Sequence, residues 1–170
     1  MALTSALSVS ASATLSSALD LTTAEAPLAL RRAVALTSGT GAGQADLVFS
    51  DRRTLAASAS EDLDLAGVLT DALGATVSFA RIKGLIISAA AANTNNVIVG
   101  GASSNGFVSW VGGATHTVTV RPGATLALIA GQADATGYAV TAGTGDLLHI
   151  ANSAGSTSVT YDVVLIGASA

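Results

Sequence analysis

The sequence predicts an all-β protein, a single β-sandwich or jelly-roll-like domain whose short strands are joined by turns rich in Gly, Ser and Asn. Three observations carry that expectation. Apolar residues come in short runs punctuated by Gly, Ser, Thr and Asn, several runs alternate apolar and polar residues with a period of two, and helical patterning is scarce. No fixed period recurs along the chain, which argues against a solenoid.

The elements follow in order. Residues 7–15 and 28–36 read as the first strands, and residues 46–49 and 54–65 as the next. Residues 66–73 are the one segment with a plausible short helix. Over residues 77–87, Val77 and Phe79 share one face while Ile82 and Ile86 have the opposite parity, so a bulge or break near Ala80-Arg81 is expected. Further strands are expected at 97–100 and 107–111. His116, Val118 and Val120 then alternate with Thr117, Thr119 and Arg121, and Pro122-Gly123 supplies the fixed and positive φ values of a type II turn. Leu126 and Leu128 resume the alternation, residues 138–141 and 147–151 form short runs, and Val159, Tyr161, Val163 and Leu165 alternate with Thr160 and Asp162.

Composition points to an assembly protein. The chain has 170 residues, a one-domain length, and is 50% apolar but only 4% aromatic, so its core is built from Ala, Val, Leu and Ile. Only 11% of residues are charged, less than half the share in an average globular domain. A compact chain of this mass exposes on the order of 7,500 Å², which leaves about one charge per 400 Å² for seven basic and eleven acidic side chains. Ser, Thr, Asn and Gly cover part of that surface, and other subunits are expected to cover more. Residues 1–170 are read as one domain, with residues 1–17, rich in Ser and Ala, expected to be an N-terminal arm docked on a neighbouring subunit.

Several functions are disfavoured. The longest apolar run, 85–92, is far short of the about twenty residues needed to span a bilayer as a helix, and no basic residue precedes Arg31, so the positive n-region of a secretory signal is missing. A net charge of −4 with a single lysine offers no basic face to nucleic acid. Cysteine is absent, which removes thiolate catalysis, disulfides and Cys-ligated metals. His116 and His149 lie in predicted strands with no nucleophile or acid at a diagnostic spacing. Glu61, Asp62 and Asp64 lack the ordered loop of a calcium site, and Leu63 and Leu65 alternate inward between them. Gly39 to Gly43 lacks the Lys-Ser/Thr ending and helix of a phosphate loop, and Gly101 to Asn105 lacks the closing glycine of a nucleophile elbow. No catalytic, cofactor-binding or metal-binding residue is therefore assigned, and the protein is expected not to be an enzyme.

The candidate interface residues are the arginine pairs Arg31-Arg32 and Arg52-Arg53, together with Trp110. Adjacent arginines in a strand place one guanidinium on each face, where its fork of donors suits carboxylates at an interface; equally, charge on an edge strand discourages aggregation.

Residues 51–67, from Asp51-Arg52-Arg53-Thr54-Leu55 to Leu65-Ala66-Gly67, resemble a segment of small structural proteins of tailed bacteriophages. So do Phe79-Ala80-Arg81-Ile82-Lys83-Gly84-Leu85-Ile86-Ile87, the glycine-rich residues 95–105, Val120-Arg121-Pro122-Gly123-Ala124 and the ending Tyr161-Asp162-Val163-Val164-Leu165-Ile166-Gly167. The resemblance covers about residues 10–170. It implies a capsid decoration (cement) protein, made in the bacterial cytoplasm and bound to the head exterior. Its partners would be the major capsid protein and other copies of itself, with a trimer expected ahead of a dimer. It brings no catalytic residues. A tail, baseplate or fibre-tip protein that recognises a host surface is the alternative, followed by a carbohydrate-binding sandwich with Trp110, Tyr138 and Tyr161 as stacking candidates.

Overall fold

The computed structural model describes residues 2–170. It is all-β and contains no helix among those residues. The thirteen strands are β1 (Ser5–Ala18), β2 (Thr23–Leu36), β3 (Leu47–Leu55), β4 (Ser60–Asp64), β5 (Ala66–Thr70), β6 (Thr76–Ser78), β7 (Arg81–Ala89), β8 (Val97–Gly100), β9 (Thr117–Val120), β10 (Thr125–Ile129), β11 (Tyr138–Ala139), β12 (Leu147–Asn152) and β13 (Val159–Ala168). Every strand pairing is antiparallel.

Two sheets form the body. One runs β10-β7-β13-β3 with β11 also paired to β7, and the other runs β4-β12-β8-β9. Their facing side chains make one core: Phe49, Leu55, Leu85, Ile87, Tyr161, Val163 and Leu165 from the first sheet meet Leu63, Val97, Val99, Val120, Leu148 and Ile150 from the second. The period-two pattern of β13 does what alternation requires, burying Val159, Tyr161, Val163 and Leu165 between the sheets. The Pro122-Gly123 turn forms as expected: the Ala124 amide donates to the Arg121 carbonyl and Gly123 has φ 75°. It links β9 to β10, strands of different sheets, so it is a crossover between layers.

The expected irregularity in residues 77–87 resolves into two features. β6 ends at Ser78 and β7 starts at Arg81 in another sheet, which is the break near Ala80-Arg81. Within β7 the pairing with β13 slips between Ile166↔Gly84 and Gly167↔Ile82, leaving Lys83 as the extra residue of a bulge. The bulge is what lets Ile82 and Leu85, at opposite parity, both reach the core. Lys83, the only lysine, is itself buried, and its ammonium donates to the Asp134 carbonyl; burial holds its pKa below the usual lysine value.

Three expectations are corrected. Residues 66–73 are not helical: β5 pairs with β6, and the Asp71 carboxylate accepts the Leu73 and Ala75 amides to close the turn between them. Residues 107–111 form a turn in place of a strand, closed by the Val111 and Gly112 amides donating to the Val108 carbonyl, with Phe107 buried as its anchor. The segments 46–49 and 54–65 are redistributed: β3 runs unbroken through Asp51-Arg52-Arg53, and the chain turns at 56–59 before β4.

Outside the sandwich core lies a second, smaller cluster. Leu7 and Leu36, at the base of the β1–β2 hairpin, pack with Ala45 and Ile166 on the outer face of the first sheet, flanked by Val34, Val48, Ile86, Ile129 and Val164. Ile86 therefore belongs to this cluster and not to the main core. Gly84 makes the seat: a Cβ there would occupy the position of the Leu7 side-chain methyls. Gly84→Ala is expected to weaken this docking by about 1–3 kcal/mol, the usual range for overpacking. Hydrogen exchange checks it: Leu7 and Leu36 amides should exchange at least about tenfold faster, while β13 amides keep their protection.

Candidate functional site

The most exposed apolar surface of the protein is the β1–β2 hairpin. Its two strands pair over fourteen levels, from Ser5↔Leu36 at the root to Ala18↔Thr23 beside the tip. At about 3.4 Å per residue the ribbon is about 45 Å long. Every residue from Ser8 to Ala33 is exposed, so beyond its root the ribbon touches no other part of the chain closely enough to be covered.

Strand alternation sorts its side chains. One face carries Leu7, Val9, Ala11, Ala13 and Leu15 from β1 beside Val34, Arg32, Leu30, Leu28 and Ala26 from β2. The other carries Ser8, Ser10, Ser12, Thr14 and Ser16 beside Ala33, Arg31, Ala29, Pro27 and Glu25. From Leu7 to Leu15 the first face is apolar apart from Arg32, and toward the tip it continues as Ser17 beside Ala24. Leu15 is 77% exposed and Leu21, in the turn, 99%. A two-stranded ribbon is at best marginally stable alone in water, and a contiguous exposed apolar stripe marks an interaction surface. Pro27, which lacks an N–H, and the arginine pair also blunt the open edges of the ribbon against indiscriminate strand addition.

The expected arm, residues 1–17, is thus one strand of a longer hairpin that reaches Leu36; Met1 lies outside the described residues. The exposed surface records the same feature. The described chain exposes 8909 Å², about 1,400 Å² more than a compact monomer of its mass.

The five candidate interface residues do not converge. Arg31 and Arg32 lie on the ribbon, one on each face, and among the described residues neither is ion-paired. Arg52 and Arg53 serve the body. Arg52, on the outer face of the first sheet, donates from Nε and Nη2 to the two carboxylate oxygens of Asp162 at 2.6 and 3.0 Å. This fork raises the arginine's pKa and lowers that of Asp162. Arg53 turns to the inner side, where Nε donates to Glu61 at 2.6 Å and Nη1 to Asp51 at 2.7 Å. The other oxygen of Glu61 accepts the buried Tyr161 hydroxyl at 2.8 Å. Burial, and then the bond to Glu61, push the Tyr161 pKa well above that of a free phenol. Trp110 is half-buried against the main core, with its indole N–H donated to the Phe107 carbonyl at 2.9 Å.

The remaining polar groups are structural in their contacts. His149 Nδ1 lies 2.6 Å from Asp62, and His116 Nδ1 lies 3.1 Å from the Val111 carbonyl; neither is bonded to a hydroxyl. Among the described residues no three His, Cys, Asp or Glu side chains gather as a metal site. A recess of about 460 Å³ between β3 and the β5–β6 hairpin is lined by Phe49, Asp51, Arg53, Val68 and Leu69. Its arginine is already neutralised by Asp51 and Glu61, and no imidazole stands beside its hydroxyls.

Comparison with protein-family models, with curated sequences and with solved structures returned no match for this chain.

Proposed function

We propose that the protein is a non-enzymatic structural component of a tailed-phage virion, a decoration protein that binds the outside of the head as a homo-oligomer and bridges subunits of the major capsid protein. The observation that carries this reading is the projecting amphipathic ribbon, a surface built to be covered by protein and useless to catalysis. The sparse charge and the resemblance of residues 10–170 to virion structural proteins point the same way. The sugar-binding alternative is weakened because Tyr161 is buried and Trp110 is half-buried with its N–H already bonded.

A protein of this kind binds the assembled shell and not its dissociated parts, so it stabilises the shell by mass action. The test adds purified protein to undecorated heads and measures occupancy and the temperature of DNA release. Wild type is expected to saturate the heads and raise that temperature by several degrees. A variant with residues 8–33 replaced by an Asn-Gly turn should keep its folded body and bind far more weakly. Failure of the wild type to bind heads would overturn the reading and favour a tail location.

A further inference from the structure

The apolar face of the ribbon needs an occupant, and its own charge and size pattern identifies one. We infer that a second copy of this chain covers it, with the two ribbons packed face to face and antiparallel about a twofold axis near the Thr14–Pro27 level. This goes beyond the virion reading and does not require it.

Charge selects the direction. The acids Asp20 and Glu25 lie in the tip third of the ribbon, and Arg31 and Arg32 lie toward its root. Parallel ribbons would stack arginine on arginine and acid on acid. Antiparallel ribbons bring Arg32, the one charge on the apolar face, to the level of Asp20 at the tip of the second copy, and the reciprocal contact forms at the other end.

Side-chain size selects the register. At three successive levels of the apolar face a large residue is paired with a small one: Leu30 with Ala11, Leu28 with Ala13, Leu15 with Ala26. With the axis at the Thr14–Pro27 level, Leu28 meets Ala26 of the second copy, Leu15 meets Ala13, and Leu30 meets Ala24, so large lies against small at all three leucines. Leu19 and Leu21 of one tip then cover Val9 and the Arg32 stem of the other. That overlap begins at Val9, where coverage by the body ends at Leu7.

The Ser/Thr face stays in water.

The experiment uses the full-length protein without heads, so its outcome is independent of head binding. Because the chain has no cysteine, cysteines can be placed freely. In one chain Thr22 and Ala33 lie eleven levels apart, about 37 Å, beyond the reach of a short bismaleimide. The variant Thr22→Cys/Ala33→Cys is expected to give a covalent dimer, and Thr22→Cys alone is expected to give none. Sedimentation should show a wild-type dimer at micromolar concentration. Arg32→Glu should weaken it about tenfold, as expected for losing two charge pairs, and Asp20→Arg/Arg32→Glu should restore it. Leu28→Asp, and independently Leu15→Asp, should give monomers whose body melts at the wild-type temperature. A monomeric wild type, tip-to-tip crosslinking of Thr22→Cys alone, or a dimer that survives both aspartate variants would each overturn the inference.

Discussion

Replacing Asn152 with leucine is expected to destabilise the fold by about 2–4 kcal/mol, lowering the melting temperature by about 5–10 °C for a domain of this size. The side chain is 6% exposed and ends β12 where three connections meet. Its amide donates to the Ala56 and Thr157 carbonyls at 2.9 and 2.7 Å, and its carbonyl accepts the Asn95 amide at 2.9 Å. Asn95 in turn donates to the Ala154 and Thr157 carbonyls and accepts the Ser156 hydroxyl. Leucine matches the volume but removes the bonds to Ala56, Thr157, Asn95 and the Ala154 amide. The two carbonyls keep the Ala59 and Asn95 donors, so each lost bond costs its net worth of about 0.5–1.5 kcal/mol. Because the two asparagines act as a unit, adding Asn95→Leu should cost much less than it does alone. Denaturant titration of the two single variants and the double variant checks both statements; additive losses would show that the network is not a unit.

The second large effect concerns Tyr161 and Glu61. Glu61→Ala removes the acceptor of a buried hydroxyl and the partner of Arg53, whose pKa is raised chiefly by its hydrogen bond to Glu61. Breaking a fully buried pair costs about 3–5 kcal/mol; Arg53 keeps Asp51 and is about a third exposed, so about 2–3 kcal/mol is expected here after solvent screening. The same geometry sets a pH dependence. Folding raises the Tyr161 pKa above its unfolded value of about 10. Its contribution is therefore complete below about pH 10 and is lost as pH rises, because the unfolded chain releases the proton first. The expected loss is about 1.4 kcal/mol per pH unit above about pH 10. Lys83, with its pKa lowered, acts in the opposite sense near the same pH, so the diagnostic quantity is the difference between wild type and Tyr161→Phe. A wild type that loses no stability relative to Tyr161→Phe between pH 10 and 11 would remove this account.

Much of the fold was legible where patterning is local. The alternation of Val159, Tyr161, Val163 and Leu165 reported both a strand and its buried face, and residues 97–100 match β8 residue for residue. β3 was harder because Arg52 and Arg53 interrupt its apolar pattern. They are tolerated there because Asp162, 110 residues away, and Glu61, on another strand, neutralise them. Residues 107–111 carry a strand-like composition, but the turn through Val108 and the Trp110–Phe107 bond fix a different path. Residues 7–15 and 28–36 were both read as strands. What their patterns did not show is that they pair with one another and leave the sandwich, and that pairing is what places Leu15, Leu28 and Leu30 on one surface. The parity of odd residues in β1 against even residues in β2 held that signal, but only once the turn at residues 19–22 was fixed.

The order of strands in the first sheet has a consequence for how the molecule is made. β13 lies between β7 and β3 and is drawn from residues 159–168, so the sheet has a vacancy at its middle until those residues have been made. The β1–β2 hairpin closes through a four-residue turn and depends on sequence neighbours alone. Local contacts form in microseconds, whereas pairings such as Leu47↔Gly167 wait for the distant segment. On the ribosome, at about 5–20 residues per second, the ribbon is therefore in solution for several seconds before its own sandwich can close. Nascent chains on one messenger carry their adhesive element ahead of their stable one, and neighbours on the same polysome are the first surfaces it meets.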